Sequence, residues 1–264
     1  MSVAETVGVE LPYLRRYARA LTGSQSSGDT YVRMTLEAAL IDPQLLAEIG
    51  GDRIALYRAF SKIWSTAHVD TAHPGGDGSM HEQAAQDRLA QVTPLHRQAL
   101  LLTTLEEFSL TETANILGID EDEAGKLVAR AIEEIESETT TDVLIIEDEP
   151  LISMQLEGLV SDLGHNVVGT AATRTQAQEA FAKTRPGLVL ADIQLADGSS
   201  GIDAVEDILK FGDVPVIFIT AYPEKLLTGE RPEPTYLVTK PFQESTVRAQ
   251  ISQALFFGSS RPIG

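Results

Sequence analysis

The sequence predicts a chain in two parts: an all-helical N-terminal half, then a doubly wound α/β half built on a parallel sheet. Three observations carry this expectation. Through residues 8–67 apolar side chains recur at spacings of three and four, the signature of amphipathic helices. From Asp142 onward the pattern changes to short apolar runs, each closing on a side chain able to do chemistry, as buried parallel strands do when they deliver groups to a sheet edge. Within the first half, Asp70-Thr-Ala-His-Pro-Gly-Gly-Asp-Gly-Ser79 holds four Pro or Gly residues and reads as a linker.

Leu11, Leu14, Tyr17, Ala18 and Leu21 place an apolar stripe on the first helix, and Met34, Leu36 and Leu40 mark a second from about Thr30. Residues Ile54 to Trp64 are apolar almost all round, so this third helix belongs at the centre of a core, with Tyr57, Phe60 and Trp64 as packing residues. His68, His73 and His81 flank the linker at spacings that match no metal motif. A further helix is expected from about Pro94 to Glu107. Ser109-Leu-Thr-Glu112 is then an N-cap with its capping-box glutamate, the short helix that follows stops at Gly118, and Asp120-Glu-Asp-Glu123 opens the next. Helix, glycine turn and helix form a helix-turn-helix geometry.

Charge opposes the usual use of that geometry. A recognition helix meets phosphates and base edges with Lys, Arg, Asn or Gln near its start. This one opens on four consecutive acids, and residues 89–141 hold three basic residues against eleven acidic ones.

In the C-terminal half, Asp142-Val-Leu-Ile-Ile ends in Glu147 and Asp148. Leu188-Val-Leu-Ala ends in Asp192 and breaks into a Gly/Ser loop. Val214 to Ile219 ends in Thr220, and Tyr236-Leu-Val-Thr ends in Lys240, followed by Pro and Phe. On one parallel sheet these ends assemble three carboxylates, a hydroxyl and an ammonium. Crowded acids need a counter-charge, and an all-oxygen ligand set suits a hard divalent cation such as Mg²⁺. Beside such a cation the Asp192 carboxylate can attack a phosphoryl group while Thr220 and Lys240 take its remaining oxygens, giving an aspartyl phosphate.

The bulk composition narrows the function classes. With 264 residues, 43% of them hydrophobic, ordinary buried cores are expected. No apolar run reaches about 18 residues and Met1 to Thr6 lacks a basic, apolar leader, so neither a membrane span nor a secretory signal is expected. The absence of cysteine removes disulfides, thiolate metal sites and a Cys nucleophile, and fits a cytoplasmic protein. The net charge is −19, made of −11 in residues 1–140 and −8 in residues 141–264, so both halves repel nucleic acid and anionic membranes and favour basic partners.

From about Asp142 to Phe257 the chain resembles a two-component receiver domain, a flavodoxin-like fold with a five-stranded parallel sheet. The resemblance implies Asp192 as phosphoacceptor, Thr220 and Lys240 as switch hydroxyl and lysine, and Mg²⁺ on Glu147, Asp148, Asp192 and the backbone carbonyl of Gln194. It also implies a histidine kinase or phosphotransfer protein as donor. Receivers usually carry an aromatic switch residue three positions before the lysine; here that position is Leu237, which leaves Tyr236, one step further back, and Tyr222 as candidates. Between Thr220 and Lys240, Pro223, Gly229, Pro232 and Pro234 leave room for only a short or irregular helix.

Residues 8–67 and 88–137 are similar to regions 2 and 4 of an extracytoplasmic-function sigma factor. The first match rests on Leu11 to Leu21, the second on Leu95 to Leu102 and Ala114-Asn-Ile-Leu-Gly118. A sigma-like half without DNA-reading charge, fused ahead of a receiver, resembles the PhyR family of stress regulators. The expected organisation is a region 2-like domain over 1–67, a linker over 68–87, a region 4-like domain over 88–137, a connector over 138–141 and a receiver over 142–264. The family implies a non-enzymatic anti-anti-sigma factor whose sigma-like half docks on the receiver at rest and, after phosphorylation of Asp192, sequesters an anti-sigma factor of the NepR type. Charge complementarity points to a basic or amphipathic helical peptide as that partner. The alternatives are a DNA-binding response regulator or working sigma factor, and a Mg²⁺-dependent phosphotransferase. Gln194, an amide where a second base would stand, disfavours the last.

Overall fold

The computed structural model describes residues 3–69, 94–136, 140–195, 198–227 and 234–258. Most of the expected linker, with His73 and His81, and part of the expected connector lie outside these residues. The chain forms two compact units, residues 1–131 and 132–264, and the division falls inside a helix.

The first unit is helical, as expected: α1 (Val3–Thr22), α2 (Gln25–Ile41), α3 (Pro43–Ile49), α4 (Arg53–Val69), α5 (Leu95–Thr104), α6 (Leu110–Leu117) and α7 (Glu121–Glu136). Local chemistry sets the breaks. Ser24 caps α2 through Ser27 N–H, and Asp42 caps α3 through Gln44 N–H with Pro43 in the first turn. Gly28 lets α2 lie against α1, because a Cβ there would stand 2.6 Å from the backbone nitrogen of Arg19. The helices before and after the linker share one apolar core: Leu14, Tyr17, Leu56, Tyr57, Phe60 and Trp64 pack with Leu101, Leu102, Leu105 and Phe108. The rings of Tyr57 and Phe108 meet edge to face at 5.0 Å.

Helix α5 ends at Thr104, three residues before the expected Glu107. The cause is Glu106, whose side chain is drawn into the core. Arg16 of α1 binds its Oε1 at 2.9 Å, while Arg53 and Tyr57 of α4 donate to its Oε2 at 2.6 and 2.7 Å. The Arg53 guanidinium also lies 4.3 Å from the centre of the Phe108 ring. Burial, then the Glu106 charge, holds the Tyr57 hydroxyl well above the usual phenol range. The chain leaves this corner through Glu107 at φ 57°.

The helix-turn-helix forms as the sequence foretells. Ser109 and Glu112 make a reciprocal capping box, Gly118 closes α6 in the left-handed region at φ 71°, and Asp120 caps α7 through Glu123 N–H at 2.8 Å.

The second unit alternates β1 (Asp142–Ile146), α8 (Pro150–Asp162), β2 (Asn166–Ala171), α9 (Arg174–Thr184), β3 (Leu188–Ala191), α10 (Gly201–Leu209), β4 (Val216–Thr220), β5 (Tyr236–Thr239) and α11 (Glu244–Gly258). The five strands are all parallel in the order β2-β1-β3-β4-β5, the flavodoxin-like winding, which reverses direction between β1 and β3. Buried on both faces, β1, β3 and β4 read as near-continuous apolar runs. Leu144, Ile146, Val189, Phe218 and Leu237 face α9 and α10, and Val143, Ile145, Leu190, Ile219 and Tyr236 face α8 and α11. Between β4 and β5 the described residues hold only a 3₁₀ turn, Pro223–Lys225, in line with the expected truncation. No helix among the described residues is long and apolar enough to cross a membrane.

Candidate phosphoacceptor and metal site

Crevices at the C-terminal ends of parallel strands, where the winding reverses, collect ligands. Here β1 and β3 are neighbours across that reversal, and the residues leaving them are Glu147, Asp148 and Asp192. One carboxylate oxygen from each of the three lies within 4.8 Å of the others. Glu147 and Asp192 are buried and Asp148 is half-buried, an all-oxygen set that suits a hard divalent cation.

Lys240, leaving β5, supplies the counter-charge. Its Nζ donates to Glu147 Oε2 and to Asp192 Oδ2, both at 2.8 Å, and stands 3.7 Å from Glu149 Oε1. Burial alone would lower the Lys240 pKa, but the hydrogen bonds to Asp192 and Glu147 outweigh it and raise the group above its usual range. Burial raises the Glu147 carboxyl, against the opposing pull of Lys240. The other oxygen of Asp192, Oδ1, accepts from Ile193 N–H at 2.6 Å and from Gln194 N–H at 3.3 Å. Glu147 Oε1 accepts from Glu149 N–H at 3.1 Å. Both acids are thereby fixed in orientation from two sides.

Thr220 ends β4, fully buried, and its Oγ1 accepts from Tyr222 N–H at 3.1 Å. The Lys240 N–H donates to the Thr220 carbonyl at 2.8 Å, which ties the ends of β4 and β5 together. Gln194 follows Asp192 and pairs with Ser200 in an isolated bridge that closes the Gly/Ser loop. Gly201 makes that closure possible, since a Cβ there would fall 1.7 Å from the Asp192 carbonyl oxygen. Glu149, the third acid near Lys240, was not singled out in the sequence; only its adjacency to Glu147 and Asp148 hinted at it.

The two tyrosine candidates occupy different environments. Tyr236 is buried against α11, with its hydroxyl 3.5 Å from the Gln253 carbonyl, on the opposite face of β5 from Leu237. Tyr222 is 42% exposed beside Thr220, with Lys225 Nζ 4.3 Å from its ring centre.

The helix-turn-helix offers no comparable DNA-reading set. The first turn of α7 carries Glu121, Asp122 and Glu123, and Lys126 is paired with Asp122 at 2.5 Å. Its charge faces an acid of its own helix.

Comparison with known proteins agrees with both units. Residues 7–61 match the family model for the sigma2 domain of PhyR, residues 89–138 the sigma-like domain of response regulator PhyR, and residues 143–252 the response regulator receiver domain. The phyllosphere-induced regulator PhyR of Methylorubrum extorquens is 54% identical over 98% of this chain and 97% of its own length. The crystal structure of the response regulator PhyR from Brucella abortus superposes with a TM-score of 0.85 at 49% identity, covering 98% of this chain and 96% of that one. The anti-anti-sigma factor PhyR from Bartonella quintana gives a TM-score of 0.85 at 48% identity, over 98% and 97%. With sigma-like and receiver models matched in order and full-length relatives at about half identity, the chain belongs to the PhyR family of response regulators.

Proposed function

We propose that the protein is a cytoplasmic anti-anti-sigma factor switched by phosphorylation of Asp192. The observation that carries this reading is the buried Asp192 carboxylate, held at the sheet edge by Lys240 at 2.8 Å and grouped with Glu147 and Asp148. The Bartonella quintana relative is an anti-anti-sigma factor and has been co-crystallised with the anti-sigma factor NepR. An anti-sigma factor of that type is the partner we assign here.

In the transfer step an oxygen of Asp192 forms a bond to phosphorus while the bond from phosphorus to the donor breaks. When the donor is a phosphohistidine, the imidazole nitrogen keeps the electron pair of the broken bond. Glu147, Asp148, Asp192 and the Gln194 carbonyl would hold Mg²⁺, which supplies charge neutralisation at the phosphoryl oxygens. Lys240 exchanges its bond to Asp192 for one to the phosphoryl group, keeping Glu147. The Thr220 hydroxyl donates to a second phosphoryl oxygen. Catalysis by this chain is limited to phosphoacceptance and slow self-dephosphorylation.

Moving Thr220 and Lys240 repacks the ends of β4 and β5, and we assign that shift the release of the sigma-like half from the receiver. The functional parts follow the sequence boundaries: a region 2-like part over 1–67, a region 4-like part over 88–137 and a receiver from 142. A histidine kinase or phosphotransfer protein is the donor, and neither nucleic acid nor membrane is a ligand. The test is partner binding with and without a small-molecule phosphodonor and Mg²⁺. Binding to an anti-sigma factor that Asp192→Ala retains under phosphorylating conditions would contradict the switch.

A further inference from the structure

The hydroxyl oxygen of Thr239, at the end of β5, is buried and has no hydrogen-bond partner among the described residues. A buried hydroxyl left unpaired costs stability, so its place in the fold matters. Thr239 stands beside Thr220 in the parallel register of β4 and β5. The alternation of the two strands fixes the face. Phe218 and Leu237 pack towards α9 and α10, and Ile219 and Val238 pack the other way. The next step brings Thr220 and Thr239 back together on the side of α9 and α10.

At rest the Thr220 Oγ1 is engaged, accepting from Tyr222 N–H at 3.1 Å in the turn that leaves β4. When the Thr220 hydroxyl turns to the phosphoryl group, that N–H loses its acceptor, and a backbone donor left without one is costly. On the same face of β5, Leu237 offers no polar atom. Tyr236 lies on the other face with its hydroxyl towards the Gln253 carbonyl. The polar side chain of β5 on the Thr220 face is Thr239. We infer that Thr239 is a second hydroxyl of the switch, a positioning residue that is unpaired at rest and accepts the Tyr222 N–H when Thr220 releases it. The unpaired hydroxyl destabilises the resting form and its new bond stabilises the phosphorylated one, so Thr239 biases the equilibrium towards the switched state without touching the phosphoryl group. This rests on the proposed function and deepens it: a hydroxyl one position before Lys240 gives β5 a coupling to Thr220 that Leu237, three positions before it, has no polar atom to make.

The test uses the full-length protein with Mg²⁺ and beryllofluoride, a stable stand-in for the phosphoryl group, and compares wild type with Thr239→Val, which keeps the branched shape and removes the hydroxyl. Loss of an unpaired buried hydroxyl is expected to leave the resting thermal midpoint unchanged or raised. In the beryllofluoride form the same variant should exchange the Tyr222 amide hydrogen about 2–10-fold faster than wild type, and its affinity for a NepR-type anti-sigma factor should fall by a similar factor. Thr239→Ser, which restores the hydroxyl, should return both readouts towards wild type. A resting midpoint that falls in Thr239→Val means that the hydroxyl is bonded at rest and overturns the inference. Tyr222 exchange and anti-sigma affinity equal to wild type in the beryllofluoride form overturn it as well, leaving the functional reading intact. Wild-type protein that beryllofluoride does not stabilise and that binds no anti-sigma factor in either form overturns the functional reading and the role of Thr239 with it.

Discussion

Glu106→Ala tests whether a buried charge cluster joins the helices on either side of the linker. The side chain of Glu106 is fully buried and that of Arg16 is 8% exposed, so the substitution leaves Arg16 desolvated, with the Leu105 carbonyl, at 2.9 Å, in place of its carboxylate. Removing one partner of a buried pair costs about 3–5 kcal/mol. Arg53 is 32% exposed and regains water, so its share is discounted and the lower figure, about 3 kcal/mol, is the better expectation. With a urea slope of about 2 kcal/mol/M, the unfolding midpoint should fall by about 1.5 M. The readout is clean because Trp64 is the sole tryptophan and is buried in the same core as Tyr57 and Phe108. Tyr57→Phe, which removes only the hydroxyl donated to Glu106, should shift the midpoint less. A shift below about 0.3 M for Glu106→Ala would mean that the cluster adds nothing to the shared core.

Lys240→Ala leaves Glu147 and Asp192 without their common ammonium. The receiver should lose thermal stability without divalent cation and regain more of it on Mg²⁺ addition than wild type does; an equal Mg²⁺ response in both would refute the reasoning. Gly201→Ala must displace the Asp192 backbone, since its Cβ would lie 1.7 Å from that carbonyl oxygen. It should cost about 1–3 kcal/mol and slow labelling by a small phosphodonor, and an unaltered labelling rate would count against the tight closure. Asp207 is held down to about 2 by hydrogen bonds from Lys210 and Arg174. Its folded pKa lies below the usual 3.8, so its stabilising contribution is present above about pH 4 and is lost as pH falls towards 2. Carboxyl NMR titration of Lys210→Met should show Asp207 moving up towards 3.8, and no movement would refute the assignment.

The candidate site was legible in the sequence because each of its residues terminates a strand buried on both faces. A continuous apolar run ending in Asp, Thr or Lys states both the strand and the direction of its cargo. Strand β2 was harder to read: Asn166–Ala171 lies at the edge of the sheet, mostly half-exposed, with Gly169 and Thr170 interrupting its apolar pattern. Glu106 was invisible for a different reason. Followed by Glu107, it looks like an ordinary solvated pair, and its partners Arg16 and Arg53 lie 90 and 53 residues away in the chain. No local window contains that cluster. Tyr236 is the converse case: successive strand residues alternate faces, so its one-residue offset from Leu237 puts it on the other face of β5, where the structure finds it.

The measurement that bears most directly on the central claim is the affinity of full-length protein for a NepR-type anti-sigma factor, titrated with and without phosphodonor and Mg²⁺, beside Asp192→Ala. The account predicts binding that strengthens on phosphorylation and is unchanged by phosphodonor in the Asp192→Ala variant. Promoter DNA binding that rises with phosphodonor, with no gain in anti-sigma binding, would contradict it and restore the sigma-like half to a DNA-reading role.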